Sequence, residues 1–271
     1  MIWNIKNGTV PAGGSSMYYA SFGYGRKTLI VLPGLSDGLA TVKGKALVLA
    51  PPFKKYFDKY TVYMFSRIND LPDNYSIKEM AADQAEAMKN LGIDRADVLG
   101  VSQGGMIAQM LAADHPDLVR KLILAVTAPY ANNTLRNNVR TWIRYAETGE
   151  YKKLMIDTAE KSYSPKYLKK YRKYYPLLGI AVKSASIGRF LSNAYAIMNF
   201  DAIDRLERII CPVFIIGGDR DMIVGTHAAY ELKKLIPGSK LHIYSGLGHA
   251  AYEEAPDFYS RIFDFLSDAK N

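Results

Sequence analysis

Hydrophobic residues in this chain recur in two rhythms, and the rhythms alternate along most of its length. "SSMYYASFG" (Ser15 to Gly23) alternates apolar and polar positions like one strand of a hairpin. "TLIVLPG" (Thr28 to Gly34) is a short β-branched run closed by Pro-Gly, the pattern of a buried strand. "YTVYMF" (Tyr60 to Phe65), "ADVLGV" (Ala96 to Val101), "KLILAVTA" (Lys121 to Ala128), "PVFIIGG" (Pro212 to Gly218) and "KLHIYSG" (Lys240 to Gly246) read the same way. Between them the period lengthens. "SIKEMAADQAEAMKNLG" opens with Ser76 and Glu79 in capping-box spacing, repeats apolar residues at helical period and stops at Gly92. "QGGMIAQMLAADHP", "HAAYELKKLIP" and "DFYSRIFDFLSDA" predict three more helices. Strands separated by helices imply βαβ units, so the expected fold class is α/β: a mostly parallel central sheet flanked by helices.

The alternation lapses once. "NNVRTWIRYAETGEYKKLMIDTAEKSYSPKYLKKYRKYYPLL" and "KSASIGRFLSNAYAIMNF" are helical throughout, with breaks expected at Gly149, Pro165, Pro176 and Gly188. The simplest division is an α/β core of residues 1–128 and 205–271, interrupted by a helical insertion over 129–204. No internal repeat or low-complexity tract is present.

Composition narrows the class. The chain has 271 residues, 49% hydrophobic and 23% charged, enough for one large α/β domain with an insertion. No stretch approaches the roughly 20 apolar residues of a membrane span. The start, "MIWNIKNGTV", lacks the basic and apolar regions of a secretory signal, and Cys211 is the lone cysteine. A cytoplasmic protein is expected, with Cys211 a small core residue rather than a reactive thiol. The net charge of +9 is unevenly placed. From Tyr130 to Asp204 there are 13 Lys and Arg against 6 Asp and Glu, and 9 of the 20 tyrosines. The run "SPKYLKKYRKYY" interleaves bases with aromatics, a pattern shared by nucleic-acid-binding surfaces and by solvated helices whose lysine stems lie over tyrosines. The solvated helix is the expected reading, with no nucleic-acid partner.

Chemistry concentrates at Gly100-Val101-Ser102-Gln103-Gly104, a G-x-S-x-G motif with a strand before it and a helix after it. A serine at so tight a bend needs a strained backbone with positive φ, and the close approach of strand and helix leaves no room for a Cβ at Gly100 or Gly104. The turn also aims the backbone N–H of Gln103, at the start of a helix, toward the serine. A serine hydroxyl needs a base oriented by a carboxylate to act as a nucleophile. Of the four histidines, His115 ends a helix, His227 opens one and His242 lies mid-strand. His249 alone occupies a glycine-flanked loop, "SGLGHAAYEEAP", between a strand and the last helix. "FIIGGDRDMIV" offers two carboxylates, Asp219 and Asp221, either of which could reach it.

These motifs together resemble the α/β-hydrolase superfamily, in particular its lidded carboxylesterases, lactonases and carbon–carbon hydrolases. The resemblance covers roughly residues 15–128 and 205–268. "GVSQGGMIAQ" is similar to the nucleophile elbow, "GLGHAAYEEAPD" to the histidine loop, and "GGDRDMIV" to the acid loop, whose carboxylate sits three residues after a glycine and so implies Asp221. It implies Ser102 as nucleophile, His249 as base, and the backbone N–H groups of Leu35 and Gln103 as oxyanion donors, with neither metal nor organic cofactor. Many relatives carry His-Gly where this chain has Pro33-Gly34, a departure that leaves a backbone donor at Leu35 intact. The 129–204 insertion would be the lid. Trp142, Tyr145, Tyr163, Phe190, Tyr195 and Met198 are candidates to line the substrate pocket, or else to pack the lid onto the core. The implied activity is hydrolysis of a small-molecule ester-type bond. Lactone opening, thioester hydrolysis, carbon–carbon cleavage and cofactor-free peroxidation use the same constellation, and a non-catalytic ligand receptor can use the same fold. Ala250 and Ala251 after His249 weigh against carbon–carbon cleavage, and a serine at the elbow excludes the aspartate nucleophile of dehalogenases.

Overall fold

The structure, a computed structural model, describes residues 2–177 and 187–268. The parts of the expected helices at Leu178, 183–186 and Ala269 lie outside them. In chain order, β1 (Lys6–Ala12), β2 (Ser15–Phe22) and β3 (Lys27–Leu32) lead through α1 (Ala46–Leu49) to β4 (Tyr60–Ile68). Then follow α2 (Ile77–Asn90), β5 (Ala96–Val101), α3 (Gln103–Asp114) and β6 (Val119–Ala125). After four α-helices among the described residues come β7 (Val213–Gly218), α8 (Ala228–Leu235), β8 (Lys240–Tyr244), α9 (Ala251–Glu254) and α10 (Phe258–Ser267). The strands form one eight-stranded sheet in the order β1-β2-β4-β3-β5-β6-β7-β8. β1, β2 and β4 pair antiparallel and every later pairing is parallel.

Side chains of a strand alternate between faces, and both faces are covered. Along β3, Ile30 and Leu32 enter the core beneath α2 and α3, while Leu29 and Val31 enter the opposite core with Phe53, Tyr56 and Phe258. α2 begins as its spacing predicts: Ser76 accepts the Glu79 backbone N–H, and the Glu79 carboxylate accepts the Ser76 N–H in return.

The first strand had no counterpart in the sequence pattern. β1 carries Asn7, Gly8 and Pro11, residues depleted in strands, yet an edge strand tolerates proline because one side needs no partner. Gly13 and Gly14 turn it into β2, both with positive φ (58° and 69°), as a tight two-residue hairpin requires.

Between β6 and β7 lie α4 (Asn133–Glu147), α5 (Tyr151–Ser162), α6 (Pro165–Tyr171) and α7 (Ile187–Met198). Gly149 (φ 73°) ends one helix and Pro165 begins another, while Pro176 lies inside a 3-10 segment, Arg172–Leu177. Gly188 lies in α7, one residue after its first described position. At the base of this segment Tyr130 and Asp201 form an antiparallel bridge, flanked by hydrogen bonds from Ala131 N–H to Phe200 O and from Ala202 N–H to Pro129 O, both 2.9 Å. These contacts hold the two ends of the segment side by side.

Candidate active site

Ser102 stands between the last residue of β5 and the first of α3, with φ 55° and ψ −119°. A non-glycine residue in that region is strained, and the surroundings show what holds it there. Its N–H donates to Ala125 O on neighbouring β6 (2.9 Å), and its carbonyl accepts from the Thr127 hydroxyl (2.7 Å). A Cβ on Gly100 would lie 2.4 Å from Gly104 O, and one on Gly104 would lie 1.9 Å from Leu32 O. Both glycines are therefore steric necessities. Gly105, to which sequence reasoning gave no role, is one too, since its Cβ would lie 2.6 Å from Thr127.

β7 and β8 deliver the other two groups. Asp221 follows β7 and is 3% exposed. Its Oδ1 accepts the backbone N–H groups of Ile223 (2.9 Å) and Val224 (3.0 Å). Its Oδ2 lies 2.8 Å from Nδ1 of His249, and Nε2 of that ring lies 2.9 Å from the Ser102 Oγ. An ionised carboxylate only accepts, so Nδ1 carries the proton and the Nε2 lone pair faces the serine hydroxyl. Asp219, the alternative acid, is exposed and instead accepts the Gly246 N–H at 2.7 Å, which shapes the loop before His249. The other histidines lie elsewhere: His115 follows α3, His227 precedes α8 and His242 lies in β8.

Leu35 opens a short 3-10 segment, Leu35–Gly38, and Gln103 opens α3. The first N–H groups of a helix have no acceptor within it. Gly34 sits against the serine: a Cβ there would be 3.2 Å from the Ser102 Cβ. Behind this loop lies a polar cluster that sequence reasoning missed. The buried Gln103 side chain donates to Asn193 O in α7 (2.7 Å) and accepts from Arg67 Nη2 (2.9 Å). Asp37 Oδ2 accepts from Arg67 N–H (3.0 Å) and Arg189 Nη2 (2.9 Å). The available signal was a single arginine next to last in the strand "YTVYMFSRI".

The candidate lining residues divide. Trp142 and Phe190 are buried in the core, Trp142 donating its indole N–H to Asp157 (2.8 Å), and Tyr145 and Met198 pack partly buried against that core. Tyr163 stacks on Tyr167 (4.4 Å between centroids) and donates to Glu253 (2.6 Å). Tyr195 is 48% exposed and donates to Glu147. It also borders a cavity of about 660 Å³ between α7 and the loop before α2 with that helix's first residues, which none of Ser102, Asp221 and His249 lines.

The histidine loop is braced by the helical segment. Ala250 N–H donates to Ser162 O (2.9 Å), Ser164 N–H to Glu254 Oε1 (2.8 Å), and the Ser164 hydroxyl to Glu254 Oε2. Burial pushes the Cys211 thiol up to about 11, so it stays protonated near neutral pH. Among the described residues no cluster of three or more His, Cys, Asp or Glu side chains is placed to hold a metal, and no helix is long and apolar enough to cross a membrane.

Comparison with known proteins gives the family. Residues 64–256 match the profile of the alpha/beta hydrolase fold family, and the chain belongs to that family. Membership places it among hydrolases. A provisionally named carbamate hydrolase RutD from Caulobacter sp. (strain K31) is 25% identical, over 89% of this chain and 91% of its own. Two solved structures share the fold at lower identity. MGS-M2, an alpha/beta hydrolase enzyme from a Medee basin deep-sea metagenome library, has a TM-score of 0.87 at 19% identity, covering 97% of this chain and 98% of its own. The enol-lactonase from Burkholderia xenovorans LB400 has a TM-score of 0.81 at 20% identity, covering 96% of this chain and all of its own.

Proposed function

We propose that this hydrolase cleaves a small-molecule ester-type bond through a Ser102–His249–Asp221 triad and an acyl-enzyme. The observation that carries the reading is the unbroken relay from hydroxyl to imidazole to carboxylate, at 2.9 and 2.8 Å. Ser102 Oγ attacks the substrate carbonyl carbon while His249 Nε2 takes its proton, and Asp221 stabilises the imidazolium that forms. The carbonyl oxygen becomes an oxyanion held by the N–H groups of Leu35 and Gln103, each worth about 2.7–4 kcal/mol of barrier. Collapse expels the alcohol, which leaves with the proton from Nε2. Water, deprotonated by the same nitrogen, then releases the acid and restores the serine.

The 129–204 segment acts as the lid in this reading, since its helices contact both the histidine loop and Gln103. Lids of this kind exclude water and shape the acyl pocket. Carbamates and lactones present the same carbonyl to the nucleophile, and the relatives' names make them the first substrates to set beside simple esters. The test is a panel of p-nitrophenyl esters of increasing length, run with lactones, thioesters and aryl carbamates on wild type and Ser102→Ala. The variant should fold normally and lose turnover on every substrate that wild type cleaves. Undiminished hydrolysis would refute the nucleophile.

A further inference from the structure

We infer that Arg67 is a positioning residue that sets the two oxyanion donors relative to each other. The inference rests on the triad reading above. Arg67 is fully buried at the end of β4, and its Nη2 donates to two acceptors at once: the Pro33 carbonyl oxygen at 2.8 Å and Gln103 Oε1 at 2.9 Å. Pro33 lies two residues before Leu35, and Gln103 is itself the second donor residue. One guanidinium nitrogen therefore ties together the two backbone segments whose N–H groups face the developing charge. The tie is reinforced from both directions. The Arg67 backbone N–H and Arg189 Nη2 both donate to Asp37, which lies in the same turn as Leu35, and the Gln103 amide continues to Asn193 in α7.

A purely architectural brace would not take this form. Burial lowers the pKa of the Arg67 guanidinium, opposed by the charge of Asp37 and abetted by that of Arg189. Its Nε and Nη1 have no hydrogen-bond partner among the described residues. A buried cation costs stability that an apolar side chain of similar size avoids. What an apolar side chain does not supply is a two-pronged donor of fixed planar geometry holding a carbonyl and an amide in register. Oxyanion stabilisation depends on such register, since displacement by about 1 Å costs on the order of 100-fold in rate.

The test compares wild type with Arg67→Met, Arg67→Lys and Gln103→Leu, the last keeping its backbone N–H but losing the tie to Arg67. For each, kcat and KM are measured on the best p-nitrophenyl ester, inhibition by phenylboronic acid is measured as a probe of the tetrahedral state, and thermal unfolding serves as the fold control. Arg67→Met should lower kcat about 10- to 100-fold with KM within about threefold, and weaken phenylboronic acid by a similar factor. Arg67→Lys should recover part of the loss, and Gln103→Leu should fall between Met and wild type. A folded Arg67→Met with kcat and boronate affinity within twofold of wild type overturns the inference, as does a variant set in which only thermal stability moves. Should Arg67→Met not fold, the lysine and leucine variants decide by the same criteria. Ser102→Ala separates the two levels: if it is inactive while the Arg67 variants keep wild-type kcat, the positioning role fails and the triad stands. If Ser102→Ala turns over normally, the triad itself fails.

Discussion

At the scale of single residues, the choice between Asp219 and Asp221 shows how geometry divides two chemically equal groups. Asp221 is buried, with one oxygen held by two backbone N–H groups and the other on His249; Asp219 is exposed and holds a turn. Asp221→Asn should fold and lose kcat by about 10⁴-fold, because an amide favours the wrong imidazole tautomer. Asp219→Asn keeps an acceptor for Gly246 and should hold kcat within a few-fold of wild type. Steady-state kinetics on one ester checks both, and equal losses would contradict the assignment. Ser102, Gly100, Gly104 and His249 were legible in the sequence because the elbow and its loop are local, dictated by steric limits within a few residues. Residue spacing alone left Asp219 and Asp221 open, because both leave the same strand and only the fold decides which one turns inward. Arg67 and Gly105 were not legible, since their partners Pro33, Gln103 and Thr127 lie far away in the chain.

At the scale of elements, strands and helices with strong periodicity were recovered, and elements made by tertiary packing were not. β1 exists because β2 offers an edge, and α9, only four residues long, follows a loop pinned to Ser162. The junction of α5 and α6 couples the helical segment to the histidine loop, and Ser164 is its hinge pin: it caps α6 through the Tyr167 N–H and donates to Glu254. Ser164→Ala should cost about 1 kcal/mol through the lost cap alone, lowering Tm by roughly 2–4 °C in a calorimetric scan. β8 supplies a pH-dependent element. His242 is held below its ordinary 6.5, first by burial and then by the nearby Arg261, against a weaker pull from Asp257. The unfolded chain therefore binds the proton first as pH falls. Stability is full above about 6.5 and is lost on descending through the lower folded value. His242→Phe should accordingly gain urea resistance relative to wild type between pH 8 and pH 5.5. An advantage independent of pH would contradict the sign.

At the scale of the whole molecule, the division of labour follows the charge and the chain path. The sheet places Ser102 after β5 and delivers Asp221 and His249 from β7 and β8, while residues 129–204 carry most of the excess positive charge. That charge sits beside tyrosines stacked on one another, Tyr163 on Tyr167 at 4.4 Å and Tyr167 on Tyr171 at 4.2 Å. Fold class was legible because alternating strand and helix periods permit few architectures. Substrate was not, because the walls of an acyl pocket come from side chains brought together across the whole fold, and the six candidates are engaged in packing or surface contacts. The central claim is that Ser102 is activated by His249, and covalent labelling with a fluorophosphonate followed by intact and peptide mass spectrometry tests it most directly. The account predicts one adduct per chain, on Ser102, formed by wild type and absent from Ser102→Ala and His249→Ala; labelling at another residue, or at an undiminished rate without His249, would contradict it.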